Sequence, residues 1–318
     1  MIRLRSSFSV ALVMLASASL AQAADYPNKN IDYVVPFASG GAVDITGRMI
    51  AEAAPEAFDG KKFIVKNMPG GGAVVGQTYV SSAPADGYTL LAMTSSVINN
   101  SLMKDVSYDL DSFTPLALYN LDPEVIVTSA KGDLPDLKAF LAAASHGSVS
   151  IATPGNSTSH HIAALALAQQ QGLDFRYVHN ASAAMQLQQL MGGHVQAGFM
   201  SLGEAVGPAK DGNIRILAVM DQARSDLAPD VPTYQEVTGD DVQWGTFRGI
   251  GAPAGLPDEV EAELASRLQK VLTSPEFIER MAAAGYKVDY RDDAAFRQYL
   301  DKTATQMEQV IPLLESQS

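Results

Sequence analysis

Short β-branched runs alternate with stretches of helical periodicity along nearly the whole chain, and this alternation restricts the fold more than any single motif. The sequence predicts strands at Ile31 to Phe37, Phe63 to Lys66 and Thr89 to Met93, with helices at Val43 to Glu52 and Val74 to Ser82 between them. That order reads as βαβαβ, which a parallel sheet with right-handed crossovers satisfies. A second series of strands is predicted at Val125 to Thr128, Val149 to Ala152, Phe175 to Val178, Ala197 to Met200 and Ile214 to Val219. Helical candidates lie between them, around Leu137 to Ala144, His161 to Gln170, Ala184 to Leu190 and Glu204 to Lys210. The fold class expected is α/β, as two doubly wound lobes rather than one long sheet.

From Asp221 to Gly255 the rhythm breaks at Pro229, Pro232, Pro253 and several glycines, around a strand expected at Gln243 to Ile250. Such a segment can carry the chain back between lobes. Beyond Pro257 the pattern turns helical, with Val260, Leu264, Leu268 and Leu272 at i+4 and with Phe296, Leu300, Met307 and Ile311 on a further helix. This tail is expected to pack on the first lobe's sheet. No short-period repeat or low-complexity linker interrupts the chain, which argues against a solenoid.

Residues 1–23 read as an export signal: Arg3 and Arg5, then the apolar and small-residue run from Phe8 to Leu20, then Ala21-Gln22-Ala23 before a cleavage point. The run is too short and too rich in Ala and Ser to span a membrane. A mature, soluble chain beginning near Ala24 or Asp25 is expected in the periplasm, with a lipid-free extracellular location as the alternative. The 318 residues contain no cysteine, which removes disulfides, thiolate nucleophiles and thiolate metal sites. Removing the leader with Arg3 and Arg5 takes the net charge from -13 to about -15. Nucleic acid and anionic lipid are poor partners for such a surface. A small anion is still acceptable, because charges are screened over about 8 Å and a cleft senses mainly its own donors.

Three strand-to-helix joints are rich in glycine or small hydroxyl residues: Ser39-Gly40-Gly41 before Asp44, Pro69-Gly70-Gly71-Gly72, and Pro154-Gly155-Asn156-Ser157-Thr158-Ser159. In open α/β sheets ligands bind outside the carboxyl ends of strands, where all three joints fall. A helix start there presents unpaired backbone N–H groups along a positive dipole end, a ready anion cradle. At the third joint Ser157 or Thr158 can equally cap its own helix. Asp44, in a first turn, favours the dipole in any case; its functional alternative is to hold a ligand amine, hydroxyl or water.

Other chemistries fit less well. Counting from Gly70 and Gly72 puts Val75 where a dinucleotide fingerprint needs its last glycine, and there is no phosphate loop with Gly-Lys-Ser/Thr. The Gly-x-Ser-x-Gly elbow of hydrolases is absent. His160 and His161 point about 100° apart on a helix, so a packed or capping role is favoured over a dyad with Ser159. His179 and His194 lack the carboxylates that a zinc or iron site would need. No metal, cofactor or catalytic residue is expected.

Tyr26-Pro27, then Val35-Pro36-Phe37 with Gly40-Gly41, Asp44 and Arg48, resemble the start of the extracytoplasmic solute-binding receptors of tripartite tricarboxylate transporters, the Bug family. The similarity continues through Val65, Asn67, Pro69-Gly70, Gly72 and Gly76 to Asp86-Gly87-Tyr88-Thr89-Leu90-Leu91. It resumes at Gly155, Ser159 and His161, at Leu190 with Gly192-Gly193, at Arg224 with Pro229-Asp230-Val231-Pro232-Thr233 and Glu236, and at Ala252-Pro253-Ala254-Gly255 with Pro257.

The resemblance implies a fold like that of type II periplasmic binding proteins, with hinge strands joining lobe 1 (residues 24–122 plus 248–318) to lobe 2 (residues 123–247). It implies that a small organic carboxylate is held largely by backbone N–H groups of two facing loops. On the first lobe these are Phe37, Ala38, Ser39, Gly40 and Gly41; on the second, Gly155, Asn156, Ser157, Thr158 and Ser159. Thr94 and Ser95 match positions that line the same pocket, and Asp44, His161 and Asn180 complete the expected ligand-binding set. Implied partners are the large and small membrane subunits of a transporter, with the receptor acting as a monomer. A sensory role feeding a receptor kinase is the alternative, and a periplasmic enzyme using Asp44 or His161 is a lesser one.

The chain also departs from the family pattern. Ala42 and Val43 stand where Ser and Thr are usual, Val178-His179-Asn180-Ala181-Ser182 replaces Val-Pro-Tyr-Lys-Gly, and Met68 stands where Arg often follows Asn67. These changes imply a less polar pocket, suited to a monocarboxylate or to an aromatic or alicyclic acid rather than citrate. Alternatively, the altered side chains only shape the rim.

Overall fold

A computed structural model describes residues 26–147 and 149–315. The export signal assigned to residues 1–23 lies outside the described residues.

The first lobe opens with β1 (Ile31–Val35), α1 (Ala42–Ala57), β2 (Phe63–Asn67), α2 (Val74–Ser81) and β3 (Thr89–Thr94). β1 pairs in parallel with both β2 and β3, as the βαβαβ order demands. All six residues of β3 are buried, which explains its unbroken apolar reading. α3 (Ser96–Met103) follows at once, a helix for which the sequence reading assigns no element. Asn99 and Asn100 are buried and hydrogen-bonded: Asn99 donates to the Ser157 carbonyl, and Asn100 to the Gly72 carbonyl and the Gln77 side chain.

After a 3-10 turn at Leu110–Ser112, β4 runs for 17 residues, Phe113–Ser129. Only its last part, Val125 to Thr128, was expected. Pro115 and Pro123 disguised the rest, since proline normally interrupts a ladder. The strand tolerates Pro115 because its register slips between Pro115 and Ala117, at a bulge.

The second lobe follows with α4 (Leu137–His146), β5 (Val149–Thr153), α5 (Ser159–Gln171), β6 (Phe175–His179), α6 (Ala183–Met191), β7 (Ala197–Ser201), α7 (Leu202–Lys210) and β8 (Ile214–Val219). A short α8 (Tyr234–Thr238) leads to β9 (Gly245–Pro253), and α9 (Asp258–Leu272), α10 (Pro275–Ala283) and α11 (Asp293–Glu315) complete the chain.

The strands form one nine-stranded sheet, eight of them along the path β2-β1-β3-β9-β4-β7-β5-β6 and β8 off it, paired with β4. The expectation of separate sheets is corrected here, and β4 is the reason. Residues 113–123 pair with β9, whereas residues 124–129 pair with β7 and β8. A single strand thus belongs to both lobes, and β9 runs antiparallel between β3 and β4 at the crossing.

Each lobe nonetheless has its own apolar core. Tyr33, Ile50 and Phe58 pack with Leu264, Leu268 and Phe277 from α9 and α10, and Val34, Leu91 and Phe247 pack with Phe296 and Leu300 of α11. The helical tail therefore covers the first lobe's sheet. Phe140, Phe175, Phe199 and Tyr234 centre the second lobe.

Candidate functional site

β1 ends at Val35, and the chain turns through Phe37, Ala38, Ser39 and Gly40 into α1. Gly40 adopts φ +86°, a region that favours glycine. Its N–H donates to Asp44 Oδ2 at 2.9 Å. The same carboxylate accepts from Arg48 Nε at 3.0 Å and from Asn67 Nδ2 at 2.9 Å. Asn67 also donates to the Phe37 carbonyl. Burial alone would raise the Asp44 pKa, but the bonds from Arg48, Gly40 and Asn67 outweigh it and hold the group below the ordinary carboxylate value. Asp44 thus fixes the loop from beneath. No side chain caps α1, so the N–H groups of Ala42 and Val43 are left unpaired at the helix start.

The facing loop is built differently. Gly155 and Ser157 take positive φ. The Ser157 N–H donates to His161 Nδ1 at 3.1 Å, and Thr158 caps α5 by accepting from the His161 N–H while its hydroxyl donates to the Gly155 carbonyl. Burial first, then the neighbouring His179 and Lys104, push the His161 pKa down to about 3. His161 is therefore a neutral acceptor that shapes the loop. These bonds leave the N–H groups of Ser159 and His160 unpaired at the start of α5. In α6, Ser182 accepts from the Met185 N–H, and the Ala183 N–H is left over in the same way.

These helix starts meet at a cavity of about 40 Å³, room for about three waters or one carboxylate group. Phe37, Gly41, Ala42, Val43, Thr94 and Ser96 line it from the first lobe, and Pro154, Thr158, Ser159, His160, Ala183 and Glu204 from the second; Thr246 and Arg248 of β9 complete the lining. An adjoining groove of about 220 Å³ shares Gly41, Ala42, Ala183 and Glu204 and adds Ile45, Leu187, Met200, Pro208, Ala284 and Tyr286.

The expected site residues thus fall into groups. Phe37, Gly41, Thr94, Thr158 and Ser159 border the cavity. Ala38, Ser39, Gly40 and Asp44 make or brace the first loop, and Ser157 and His161 bond each other. Ser95 lies on a separate groove and accepts the Phe247 N–H. Gly155, Asn156 and Asn180 sit at the rim beside Gly72 and Lys104. Asn180 is engaged there, donating to the carbonyls of Thr153 and Val178.

Sequence reasoning missed the polar group beneath the cavity. His160 is clamped between Glu124, with Oε2 at 2.6 Å, and Glu204 at 3.3 Å. Burial opposes the charged imidazole, but the two carboxylates outweigh it and raise the His160 pKa. Burial likewise opposes ionisation of Glu204, yet His160 and Arg248 hold its pKa low. Asp122 accepts from the Gly203 N–H at 3.1 Å and from Arg248 at 3.0 Å. Glu124 and Asp122 lie on β4, His160 on α5, Glu204 on α7 and Arg248 on β9. No local spacing announces a cluster drawn from four elements.

The lobes also touch at the rim. Lys104 Nζ donates to the Gly71 carbonyl at 2.7 Å and to the Asn156 carbonyl at 3.2 Å, and Asn99 donates to the Ser157 carbonyl at 3.1 Å. Among the described residues, no helix is long and apolar enough to cross a membrane, and no group of three or more His, Cys, Asp or Glu could hold a metal ion.

Two α/β lobes sharing hinge strands, closed over a cavity lined by helix N-termini, define a solute-binding protein. The model of the tripartite tricarboxylate transporter family receptor matches residues 46–315, and the chain belongs to that family. A protein from the tcbD-tcbE intergenic region of Pseudomonas sp. (strain P51) is 31% identical over 291 residues, 90% of this chain and 86% of its own length. The structure of the periplasmic binding protein BugD is 26% identical, covers 91% of this chain and 99% of its own, and superposes with a TM-score of 0.86. MatC from Rhodopseudomonas palustris with bound malate is 25% identical, covers 90% of this chain and 100% of its own, and has a TM-score of 0.84. The family consists of solute-binding receptors rather than enzymes.

Proposed function

We propose that this chain is an exported receptor that captures a small organic carboxylate in the periplasm and delivers it to a membrane transporter with a large and a small subunit. In this reading residues 1–23 are the leader, residues 24–122 with 248–318 form one jaw, and residues 123–247 form the other. The observation that carries it is the convergence of three helix starts from both lobes, at Ala42, Ser159 and Ala183, each with first-turn N–H groups left unpaired, on one cavity. Backbone N–H groups at positive dipole ends favour an anion. A carboxylate is the anion that suits both a small cavity and the malate held by the related MatC.

The apolar part of the lining narrows the ligand class. Phe37, Ala42, Val43 and Ala183 supply no hydroxyl or charge, and the adjoining groove adds Ile45, Leu187 and Met200. We infer a carboxylate with an aromatic, alicyclic or otherwise apolar body, its head in the cavity and its body toward the groove. Thermal-shift screening of acetate, malate, citrate, adipate and benzoate tests the reading. A ligand at 100 times its Kd adds about 2.7 kcal/mol of apparent stability. Benzoate or adipate should stabilise the protein more than citrate. Citrate ranking first would reject the apolar body, and no stabilisation by any acid would reject the carboxylate reading itself.

A further inference from the structure

We propose that Gln77 of α2 is a positioning residue that couples ligand capture to the meeting of the lobes, by holding the cavity wall and the Gly72 rim as one body; this rests on the carboxylate-receptor reading and goes beyond it. Gln77 is fully buried. Its Nε2 donates to Ser96 Oγ at 2.9 Å, while Oε1 accepts from Asn100 Nδ2 at 2.9 Å and from the Tyr108 hydroxyl at 2.6 Å. Two donors on Oε1 leave the amide a single workable orientation. Ser96 and Asn100 stand one turn apart on α3, so Gln77 staples one face of that helix.

The staple reaches two places. Toward the cavity, Ser96 Oγ and Thr94 Oγ1 lie 2.7 Å apart, and both residues belong to the lining. Toward the rim, Asn100 Nδ2 also donates to the Gly72 carbonyl at 2.9 Å, and Gly72 lies so close to the Asn156 carbonyl of the second lobe that a Cβ would not fit between them. From the same helix Asn99, and just beyond it Lys104, donate to the Ser157 and Asn156 carbonyls of that lobe.

Asn100 shows that this bridge is kept at a cost. It gives both N–H groups away and leaves its own Oδ1 buried without a hydrogen-bond partner. Turning the amide over would set that oxygen against two acceptors, the Gly72 carbonyl and Gln77 Oε1, so the unpaired atom is the consequence of linking them. Thr94, Ser96, Gln77 and Asn100 are all buried, and a bond broken there is not replaced by one to bulk water. A displaced Gly72 turn must therefore drag α3 with it or strand buried donors. Nor can α2 give way, since a Cβ on Gly76 would lie 2.8 Å from the Pro36 Cβ. A ligand that fixes the wall at Thr94 and Ser96 thus also fixes the rim that the second lobe meets.

The test asks whether the two ends are coupled in binding. The strongest binder among acetate, malate, citrate, adipate and benzoate is titrated calorimetrically into wild type, Thr94→Val, Lys104→Met and the double variant. The double variant should lose about threefold less affinity than the product of the two single losses. With Gln77→Met added to all four proteins, the two losses should simply multiply. A Gln77 that only stabilises the fold would lower the Tm and leave the non-additivity intact. Because Gln77→Met removes bonds to Ser96, Asn100 and Tyr108, a second readout keeps Gln77 in place: hydrogen exchange of its side-chain amide, by NMR, in acid-saturated wild type and Lys104→Met. Loosening the rim should speed that exchange at least about threefold. An unchanged exchange rate, losses that multiply while Gln77 is present, or non-additivity that survives Gln77→Met overturns the coupling and leaves the carboxylate receptor standing. If no acid binds the wild type, both readings fall together.

Discussion

A Cβ added to Gly72 would lie 2.1 Å from the carbonyl oxygen of Asn156, on the opposite lobe. Reciprocally, a Cβ on Gly155 would come within 3.1 Å of the Gly72 Cα. The rims therefore meet main chain to main chain, and neither partner can rotate aside. Gly72 also sits at φ +66°, where a side chain costs roughly 1–2 kcal/mol. That conformational cost applies to open and closed forms alike, whereas the clash exists only when the lobes are shut. Gly72→Ala should therefore lower the Tm by a few degrees but weaken ligand binding by at least about tenfold, since closure loses differential free energy. Calorimetry with the strongest acid, paired with small-angle scattering, checks this. Unchanged affinity and an equally compact liganded variant would show that rim contact is dispensable for capture.

Lys104 spans the same rim, bonded to the Gly71 and Asn156 carbonyls. Burial depresses its pKa, so the ammonium gives up hydration to make these bonds. Removing one partly buried inter-lobe bond costs about 0.5–1.5 kcal/mol. Lys104→Met should thus speed ligand release about 2- to 10-fold while leaving the association rate nearly unchanged, because encounter precedes closure. Trp244, the single tryptophan, reports the event. It exchanges backbone hydrogen bonds with Glu124 and Met220 at the hinge. Stopped-flow fluorescence that shows an altered association rate instead would place Lys104 in the encounter step.

The strand and helix alternation was legible because each element here pairs with chain neighbours and buries a regular face. The strands expected at Ile31 to Phe37 and at Val149 to Ala152 correspond for that reason to β1 (Ile31–Val35) and β5 (Val149–Thr153), within two residues at their ends. What escaped was long-range. The start of β4 hid behind Pro115, whose bulge is defined by β9 more than 130 residues later. Loop donors around Gly41 and Ser159 could be foreseen, since a glycine turn into a helix start has only one backbone consequence. Arg248 and Glu204 could not. Each looks like an ordinary surface charge until β9 and α7 bring it under the cavity.

Asp44 separates bracing from binding. Its carboxylate accepts from Gly40, Arg48 and Asn67, so it orders the loop that aims the Ala42 and Val43 N–H groups without facing the ligand through a free oxygen. Asp44→Asn keeps the shape but replaces an acceptor by a donor opposed to the donors of Gly40, Arg48 or Asn67. It should cost about 1–3 kcal/mol of stability and weaken every acid in the panel by a similar factor. Chemical denaturation and calorimetry together check the pairing. A loss confined to one acid would mean that Asp44 touches ligand.

Adjacent histidines on α5 should shape stability in opposite pH ranges. His160, between Glu124 and Glu204, has its pKa raised to about 10, because the carboxylates overcome burial. In the range from about 6.5, the unfolded value, up to about 10, the folded state holds more protons, so stability from this group falls as pH rises. His161 is pushed down to about 3 by burial, with His179 and Lys104 adding to it. Between that value and about 6.5 the unfolded state holds more protons, so stability falls as pH drops. Each contribution has a limiting slope of about 1.4 kcal/mol per pH unit. His160→Gln should cost about 3–5 kcal/mol at neutral pH, since it strands two buried carboxylates, and should lose the alkaline slope. His161→Gln should lose the acid slope and leave the alkaline one. Urea unfolding from pH 4 to 9.5, taken as wild type minus variant, reads both; difference curves without slope would refute the assignment of a charged His160 beside a neutral His161.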